Sequence, residues 1–121
     1  MIDHTGLIVS SGERSRDFYT QALAPLGYGL VVSHDGVAAF GPPGMPLFWI
    51  YQGPNPHTGV HIALSAADHD AVDRFHAAAL AAGGTDHGAP GLRPEYHEHY
   101  YGAFVLDPDG NNIEAVYHAP A

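Results

Sequence analysis

The feature that most constrains the fold of this chain is an internal repeat with an offset of 57 residues. The segment from His4 to Leu7 returns as the segment from His61 to Leu64. Further matches at the same offset are Phe18 with Phe75, Ala22 with Ala79, Leu23 with Leu80, and Gly27 with Gly84. A repeat of this length predicts two copies of one supersecondary unit, each too small to bury a core alone. Equivalent positions, including two histidines, are expected to converge where the copies meet.

Each copy is predicted to have the element order β-α-β-β-β. Helical spacing of apolar residues indicates helices at Glu13 to Leu23, with Ser10 or Ser11 as N-cap, and at Asp68 to Ala82. Strands are predicted at Thr5 to Ser10, Tyr28 to Ser33, Val37 to Phe40, Leu47 to Tyr51, Val60 to Ser65, Asp86 to Ala89, Ala103 to Leu106 and Asn112 to Tyr117. The sequence therefore predicts one α+β domain over residues 1–121, made of two tandem βαβββ units at about 1–52 and 58–118.

The charge balance limits the classes of partner. There are 13 acidic and 4 basic residues, which gives a formal net charge of −9. Nucleic acid or an anionic membrane surface would require a basic face, so neither is expected as a partner. No cysteine, export signal or long apolar segment is present, and a cytoplasmic location is predicted. Ten histidines point towards a site, because histidine is the commonest metal ligand.

Glu114 is an unusual residue for its predicted strand, because it interrupts an apolar run. Side chains alternate between the two faces of a strand, so Glu114 shares a face with Asn112, Val116 and His118. A carboxylate buried there without a partner would cost several kcal/mol. Either this face is solvated or a cationic group meets the glutamate.

The repeat suggests which groups supply the positive charge. His4 and His61 occupy equivalent points at the start of two strands that the repeat would bring close together. Two imidazoles and the carboxylate of Glu114 would form a facial set of metal ligands with coordination positions left for water or substrate. Iron(II), manganese, zinc and nickel are all compatible with this set.

The segment from Gly91 to Tyr101 has no counterpart in the first copy. It is polar, aromatic and rich in histidine, which is typical of a loop that forms part of a binding-site wall. The alternative is a solvated loop whose aromatic residues pack on the rim of the site. Within it, Arg93 could anchor an anionic substrate group, or it could form a surface ion pair with Glu95 or Glu98.

A fourth position of interest comes from aligning the ends of the two copies. Gly44 and Gly110 each precede the matched position by four residues, which pairs Phe48 with Glu114. Phe48 and Trp49 are also aromatic residues that would suit a cup for a planar compound, which makes them candidate substrate contacts; packing in the core or in the wall of the site is the alternative role.

These patterns together resemble a known family. The resemblance lies in Asp3 to Thr5, in Arg14 to Tyr19, in Val60 to Leu64, and in the stretch from Phe104 to Glu114 with its Asp-Pro-Asp-Gly turn. The chain resembles the vicinal oxygen chelate superfamily, which includes glyoxalase I, extradiol dioxygenases, fosfomycin-modifying thiol transferases and bleomycin-binding proteins. The resemblance implies an open, cupped mixed sheet with a metal in the cup, and a homodimer.

The resemblance also implies roles for individual residues. The ligand positions of the family fall on His4, His61 and Glu114. The fourth position, a glutamate in glyoxalase I, falls on Phe48, which cannot bind metal. The remaining set looks like that of the extradiol dioxygenases, which use further histidines and tyrosines for acid-base chemistry. The loop offers four candidates for that work: His97, His99, Tyr100 and Tyr101.

Two functions remain open at this point. The first is a divalent-metal-dependent enzyme that acts on a small oxygen-chelating substrate, with dioxygenase-like or glyoxalase-like lyase chemistry, in which the ion acts as a Lewis acid. The second is a metal-free protein that sequesters a small planar compound, as the bleomycin-resistance members do. Whether one chain or two supply the ligands is also left open.

Overall fold

The computed structural model describes residues 1–120 and contains two βαβββ halves in tandem. The first half consists of β1 (Thr5–Val9), α1 (Gly12–Leu23), a short 3₁₀ turn (Ala24–Leu26), β2 (Gly29–His34), β3 (Val37–Gly41) and β4 (Phe48–Gln52). The second half consists of β5 (His61–Ser65), α2 (His69–Ala81), β6 (Thr85–Leu92), β7 (Tyr100–Leu106) and β8 (Asn112–His118). The predicted α+β class and the repeated element order are confirmed.

Each half forms its own four-stranded mixed sheet. The strand orders are β1-β4-β3-β2 and β5-β8-β7-β6, so the two sheets have the same topology. In each sheet the first and last strands of the half pair in parallel, and the other pairings are antiparallel. This topology places the start of each half beside its end, which brings β5 next to β8.

The helices begin where the sequence provides capping side chains. The Ser11 hydroxyl accepts a hydrogen bond from the backbone N–H of Arg14, and the Asp68 carboxylate accepts one from that of Ala71. Such caps satisfy N–H groups that the first turn of a helix leaves unpaired. Neither helix in the described part of the chain has the length and apolarity needed to cross a bilayer.

One hydrophobic core joins the two halves. The helices α1 and α2 pack against each other, and each also packs on the sheet of its own half. Tyr19 lies at the centre, with its ring 4.9 Å from that of Phe18 and 4.8 Å from that of Phe48. Because both helices cover the inner faces of the sheets, the opposite faces, here called the outer faces, are left without a helical layer.

A buried polar contact also connects the halves. The Tyr19 hydroxyl donates to Asp107 at 2.5 Å, and Asp107 additionally accepts from the backbone N–H groups of Asp109 and Asn111. Burial, followed by the charge of Asp107, raises the pKa of the Tyr19 phenol well above its usual value. The Asp-Pro-Asp-Gly turn of the second half is thereby fixed to the first helix.

The connection between the halves is held at His57. Its backbone N–H donates to the Ile8 carbonyl, and its Nδ1 accepts from the Ile8 N–H, each at 2.9 Å. The side-chain amide of Asn111 donates to the His57 carbonyl at 3.1 Å. Residues from both halves therefore fix this segment.

The segment from Gly91 to Tyr101 is more regular than the sequence predicts. β6 continues to Leu92 and β7 begins at Tyr100, which leaves only residues 93–99 as a loop. The pairing of β6 with β7 is irregular around Gly88 and Gly91. Glycine has low β-propensity, so the local sequence does not predict a strand here. Pairing with β7 stabilises it.

Candidate functional site

Glu114 is a buried acid on the outer face of the second sheet. Its neighbours Ile113 and Ala115 point into the core, as the alternation of the strand predicts. The outer face carries His61 and Ala63 from β5, Tyr100, Gly102 and Phe104 from β7, and Glu114 from β8. The Glu114 side chain is only 2% exposed, although no helix covers this face. Adjacent side chains must therefore provide its burial and its partners.

Both carboxylate oxygens of Glu114 have partners from the neighbouring strands. Oε1 lies 2.9 Å from Nε2 of His61, and Oε2 accepts a hydrogen bond from the Tyr100 hydroxyl. Gly102 makes room for this arrangement, because a Cβ at that position would lie 3.1 Å from Oε2. The His61 side chain is 51% exposed, so one side of the pair remains open to solvent.

The Tyr100 phenol retains its proton at neutral pH. Burial, the hydrogen bond to Glu114 and the charge of that carboxylate all raise its pKa. In this arrangement Tyr100 is a proton donor that points at the carboxylate. It is one of the four acid-base candidates predicted from the loop, and it lies directly at Glu114.

The other three candidates are placed differently. His97 joins the site through His118, with its Nε2 2.8 Å from His118 Nδ1, and the Tyr100 ring lies against both imidazoles. The His99 imidazole lies 3.8 Å from Glu98. Sequence analysis placed His118 on the Glu114 face but did not propose a role for it.

Tyr101 points to the opposite side of the sheet from Tyr100. Its hydroxyl donates to Asp73 on α2 at 2.6 Å, and its ring stacks on His69 with centroids 4.0 Å apart. The hydrogen bond to Asp73, with a smaller effect of burial, raises its pKa to about 12. The acid-base role predicted for Tyr101 at this site is therefore wrong, because consecutive residues of a strand face opposite ways.

His4 does not form a cluster of ligands with His61 and Glu114 within the described residues of one chain. It lies just before β1, with Nδ1 2.7 Å from the Asp3 carboxylate and a side chain that is 57% exposed. His4 and His61 both line one cavity of about 420 Å³, whose walls come from both halves. Within residues 1–120, however, no three histidine, aspartate or glutamate side chains lie close enough together to hold a metal ion. One chain thus brings together two of the three predicted ligands.

The strand registers correct the predicted counterpart of Glu114. Thr5 pairs with Phe48 in the first sheet, and the equivalent Ile62 pairs with Ile113 in the second. Phe48 therefore corresponds to Ile113, and Trp49 corresponds to Glu114. The alignment from Gly44 and Gly110 is wrong by one residue, because the turn that follows Gly44 is one residue longer than the turn that follows Gly110.

Phe48 and Trp49 consequently have different environments. Phe48 is 1% exposed and packs against Tyr19 in the core, so the predicted substrate contact at Phe48 is wrong. Trp49 lies on the outer face of the first sheet, where its ring stacks on Tyr51 with an interplanar angle of 8°. Gly6 lies beneath this pair, with the position of a Cβ only 2.9 Å from the Tyr51 ring.

Arg93 lies beside Glu114's neighbour Phe104. Its guanidinium carbon is 5.4 Å from the centre of the Phe104 ring, and its Nη2 donates to the Ala89 carbonyl at 2.6 Å. The alternative prediction of an ion pair with Glu95 or Glu98 is wrong, because among the described residues neither lies within 4.0 Å of Arg93.

Comparison with protein families identifies the group to which this fold belongs. Residues 1–115 match the model of the Glyoxalase/Bleomycin resistance protein/Dioxygenase superfamily. The chain belongs to this superfamily. The vicinal oxygen chelate resemblance expected from the motifs is thereby confirmed, whereas membership alone specifies neither a metal nor a substrate. No curated protein gave a significant match.

Solved structures of the superfamily share the fold over nearly the whole chain. A glyoxalase/bleomycin resistance protein from Albidiferax ferrireducens T118 is 31% identical, with a TM-score of 0.84, covering 97% of this chain and 98% of that one. A glyoxalase/bleomycin resistance protein/dioxygenase family enzyme from Burkholderia phytofirmans PsJN has a TM-score of 0.73 at 17% identity, covering 98% of each chain. TioX from Micromonospora sp. ML1 also has a TM-score of 0.73 at 17% identity, covering 98% of this chain and 99% of that one. At these lower identities the similarity concerns the fold alone.

Proposed function

We propose that this superfamily member is a cytoplasmic, divalent-metal-dependent enzyme acting on a small oxygen-chelating substrate. His61 and Glu114 supply two of the ligands, and a second copy of the chain in a homodimer supplies His4. The observation that carries the proposal is the pairing of a buried carboxylate with an open imidazole on a sheet face without a helical layer. Buried carboxylates next to a titratable imidazole are characteristic of functional sites, which supports a functional role for this pair.

The spacing of the two groups suits neighbouring positions on one ion. Ligand atoms at about 2.0–2.2 Å from a metal and at right angles to each other are separated by roughly 3 Å. The 2.9 Å between His61 Nε2 and Glu114 Oε1 agrees with this separation. Iron(II), manganese, zinc and nickel all accept such a pair of ligands.

The third ligand has to come from elsewhere, and His4 of a second copy is the best candidate. His4 is exposed, and the outer face of the first sheet beside it is apolar, with Tyr51 39% exposed. Two copies that pair through their outer faces would cover Trp49 and Tyr51 and bring His4 of one copy towards Glu114 of the other. Exposed aromatic patches are common at such interfaces.

The side chains around Glu114 supply the remaining chemistry. When bound, the ion would polarise neighbouring substrate oxygens as a Lewis acid. Tyr100 holds a proton at the carboxylate, and the paired imidazoles of His97 and His118 lie against its ring and reach solvent. These groups can deliver or remove a proton at an atom bound beside Glu114.

Metal titration of single variants tests the ligand assignment. We expect His61→Ala and Glu114→Gln to lower the affinity for Ni²⁺ or Fe²⁺ by at least about tenfold, because each removes a ligand. His34→Ala is the matched control, since His34 is an exposed histidine on β2 in the other sheet. Equal affinities in all variants would exclude this metal site.

Mixing two variants tests whether the ligands come from two chains. His4→Ala and Glu114→Gln each inactivate both sites of a homodimer, but a mixed dimer has one site with all three ligands. An equal mixture of the two refolded together should therefore recover about a quarter of the wild-type metal sites. No recovery beyond the sum of the two separate variants would contradict the two-chain arrangement.

A metal-free sequestering protein is the second candidate function. It is favoured by a specific observation, namely that protein donors already satisfy both oxygens of Glu114. The stacked Trp49 and Tyr51 would suit a planar ligand. A planar ligand whose affinity is unchanged by EDTA and by Glu114→Gln would support this function over the enzymatic one.

A further inference from the structure

Arg93 is a cation without an anionic partner in the described residues. The chain has four arginines and no lysine, and two of the arginines form ion pairs, Arg16 with Asp17 and Arg74 with Asp70. Arg93 has no carboxylate within 4.0 Å among residues 1–120, although the chain has a formal charge of −9. Acidic side chains are therefore abundant, yet none neutralises this arginine.

The guanidinium of Arg93 is held in place by an aromatic ring and by two backbone carbonyl groups. It lies over the Phe104 ring and donates to the carbonyl groups of Ala89, at 2.6 Å, and Leu92, at 3.4 Å. Two glycines leave space for it, since a Cβ would lie 3.4 Å from Nη2 at Gly88 and 3.1 Å from Nη1 at Gly91. A guanidinium has five N–H donors, so these two bonds leave others free for a ligand.

Arg93 lines a small cavity beside the Glu114 site. The cavity has a volume of about 230 Å³ and is lined by His87, Gly88, Arg93, Tyr96, Phe104 and Asn112, with no acidic residue. The side-chain oxygen of Asn112 is buried and has no hydrogen-bond partner in the described structure. An acceptor left unpaired in this way needs a donor from outside the chain, such as water or an N–H or O–H group of a ligand.

The cavity and the Glu114 site are directly adjacent. Phe104 is opposite Glu114 in the β7–β8 pairing, and its ring centroid lies 6.1 Å from that of His61. The rings of Tyr96 and Tyr100 lie 4.9 Å apart and connect the loop side of the cavity with the site. One small molecule could therefore contact Arg93 and the Glu114 site together.

We infer that the ligand of this site carries an anionic group, a carboxylate, sulfonate or phosphate, which Arg93 binds while the remainder extends towards His61 and Glu114. The inference rests on the proposed small-molecule function and specifies the class of ligand. Arginine suits the task because its planar fork matches the oxygens of such anions. The volume of the cavity limits the bound part to a small group.

The test compares acids with uncharged analogues that keep the same aromatic ring. Benzoate with benzamide, phenylacetate with phenylacetamide, and phenyl phosphate with phenol are titrated into the wild-type protein and observed by ligand NMR. We expect at least one acid to bind about tenfold or more tightly than its neutral partner, since a charge-assisted bond is replaced by a neutral one. Arg93→Gln should abolish this preference. Arg14→Gln, which removes the same charge from an exposed position on α1, should retain it.

The outcomes separate this inference from the metal proposal. Titrations are run in EDTA and with Ni²⁺, and thermal melting of Arg93→Gln and Arg93→Lys checks that the fold is intact. Arg93→Lys keeps the charge and should keep part of the preference. No acid favoured over its neutral partner in the wild type, or a preference that survives in folded Arg93→Gln, overturns the inference. If the wild-type protein fails to bind Ni²⁺ but still prefers the acids, only the metal proposal is overturned.

Discussion

Tyr100 and Glu114 form the hydrogen bond on which the geometry of the site depends. The carboxylate is buried, and the bond from Tyr100 is one of only two side-chain hydrogen bonds that it receives within the described residues. A buried acceptor that loses a donor retains its desolvation cost without compensation. The consequences of removing a single hydroxyl are therefore large enough to measure.

We expect Tyr100→Phe to lower the free energy of unfolding by about 1–2 kcal/mol at neutral pH, because Glu114 loses that donor. Urea denaturation with far-UV circular dichroism measures the change. Tyr96→Phe is the matched control: Tyr96 lies in the loop just before β7, is 60% exposed, and its hydroxyl forms no hydrogen bond to the described residues. Its effect should stay within about 0.5 kcal/mol. Equal losses in the two variants would mean that the bond to Glu114 contributes nothing.

Tyr19 gives a prediction about alkaline pH. Its folded pKa is raised by burial and by Asp107, so its contribution to stability is present below the unfolded pKa of about 10 and is lost as the pH rises above that value. At pH 8 Tyr19→Phe should unfold at a lower urea concentration than the wild type, and the difference should narrow between about pH 10 and 11.5. A urea series at each pH checks this, with Tyr28→Phe as control. A difference independent of pH would contradict the assigned role.

For single residues, the sequence predicts well which face of a strand a side chain occupies, and less well which residue is its counterpart in the other half. Strand alternation correctly placed Glu114 opposite the core-facing Ile113. The same reasoning could not fix the partner of Glu114 in the first half, because the turns before the two last strands differ in length. Only the pairing of Thr5 with Phe48 identifies Trp49 as its counterpart. The spacing of residues along one strand does not determine its register with the neighbouring strand.

Among the elements, the joint between α2 and β6 is the most sensitive to added volume. A Cβ on Gly84 would lie 2.8 Å from the Phe18 ring and 2.9 Å from the Ala79 carbonyl oxygen. We expect Gly84→Ala to destabilise the protein by about 1–3 kcal/mol, because the two halves meet at this point and cannot move apart without cost. Thermal and urea unfolding measure the effect. Gly29→Ala, where nothing lies within 4 Å of the new Cβ, serves as control and should be nearly neutral. A stable Gly84→Ala variant would show that the interface between the halves is loosely packed.

Helices were easier to predict than the strands near the site. The apolar spacing, with Ser10 or Ser11 as the expected cap of the first helix, predicts both helices to within one residue at each end, and Asp68, expected as the first residue of the second helix, is its N-cap. The sequence predicts a β6 that is too short and places the start of β7 in the loop, whereas the strands span Thr85–Leu92 and Tyr100–Leu106. Gly88, Pro90 and Gly91 do not favour a strand locally, and only pairing with β7 keeps them in one.

For the whole molecule, the repeat predicted the architecture, and the structure adds an asymmetry between the copies. The outer face of the second sheet is polar at its centre, with Glu114, whereas the equivalent position in the first sheet is Trp49. One polypeptide therefore presents two chemically different faces on the same scaffold. The sequence could not reveal whether these faces meet, because that depends on a second molecule.

Trp49→Glu tests whether the first sheet of one copy and the second sheet of another both contact the same metal ion. If His4 and Trp49 of one copy face His61 and Glu114 of another, a carboxylate at position 49 should act as a fourth ligand. The affinity for Ni²⁺ should then increase by about tenfold, which calorimetric titration would detect. Tyr51→Glu places the same charge two residues further along the same face and should give no comparable gain. An unchanged affinity in Trp49→Glu would mean that the first sheet does not approach the ion.

The fixation of His57 has a practical consequence for handling the protein. Because this residue is held both by Ile8 and by Asn111, a cut on either side of it would leave the two pieces docked. A nicked sample would elute as one species in gel filtration and separate into two bands only on a denaturing gel. Integrity of such preparations should therefore be judged by mass spectrometry rather than by elution volume.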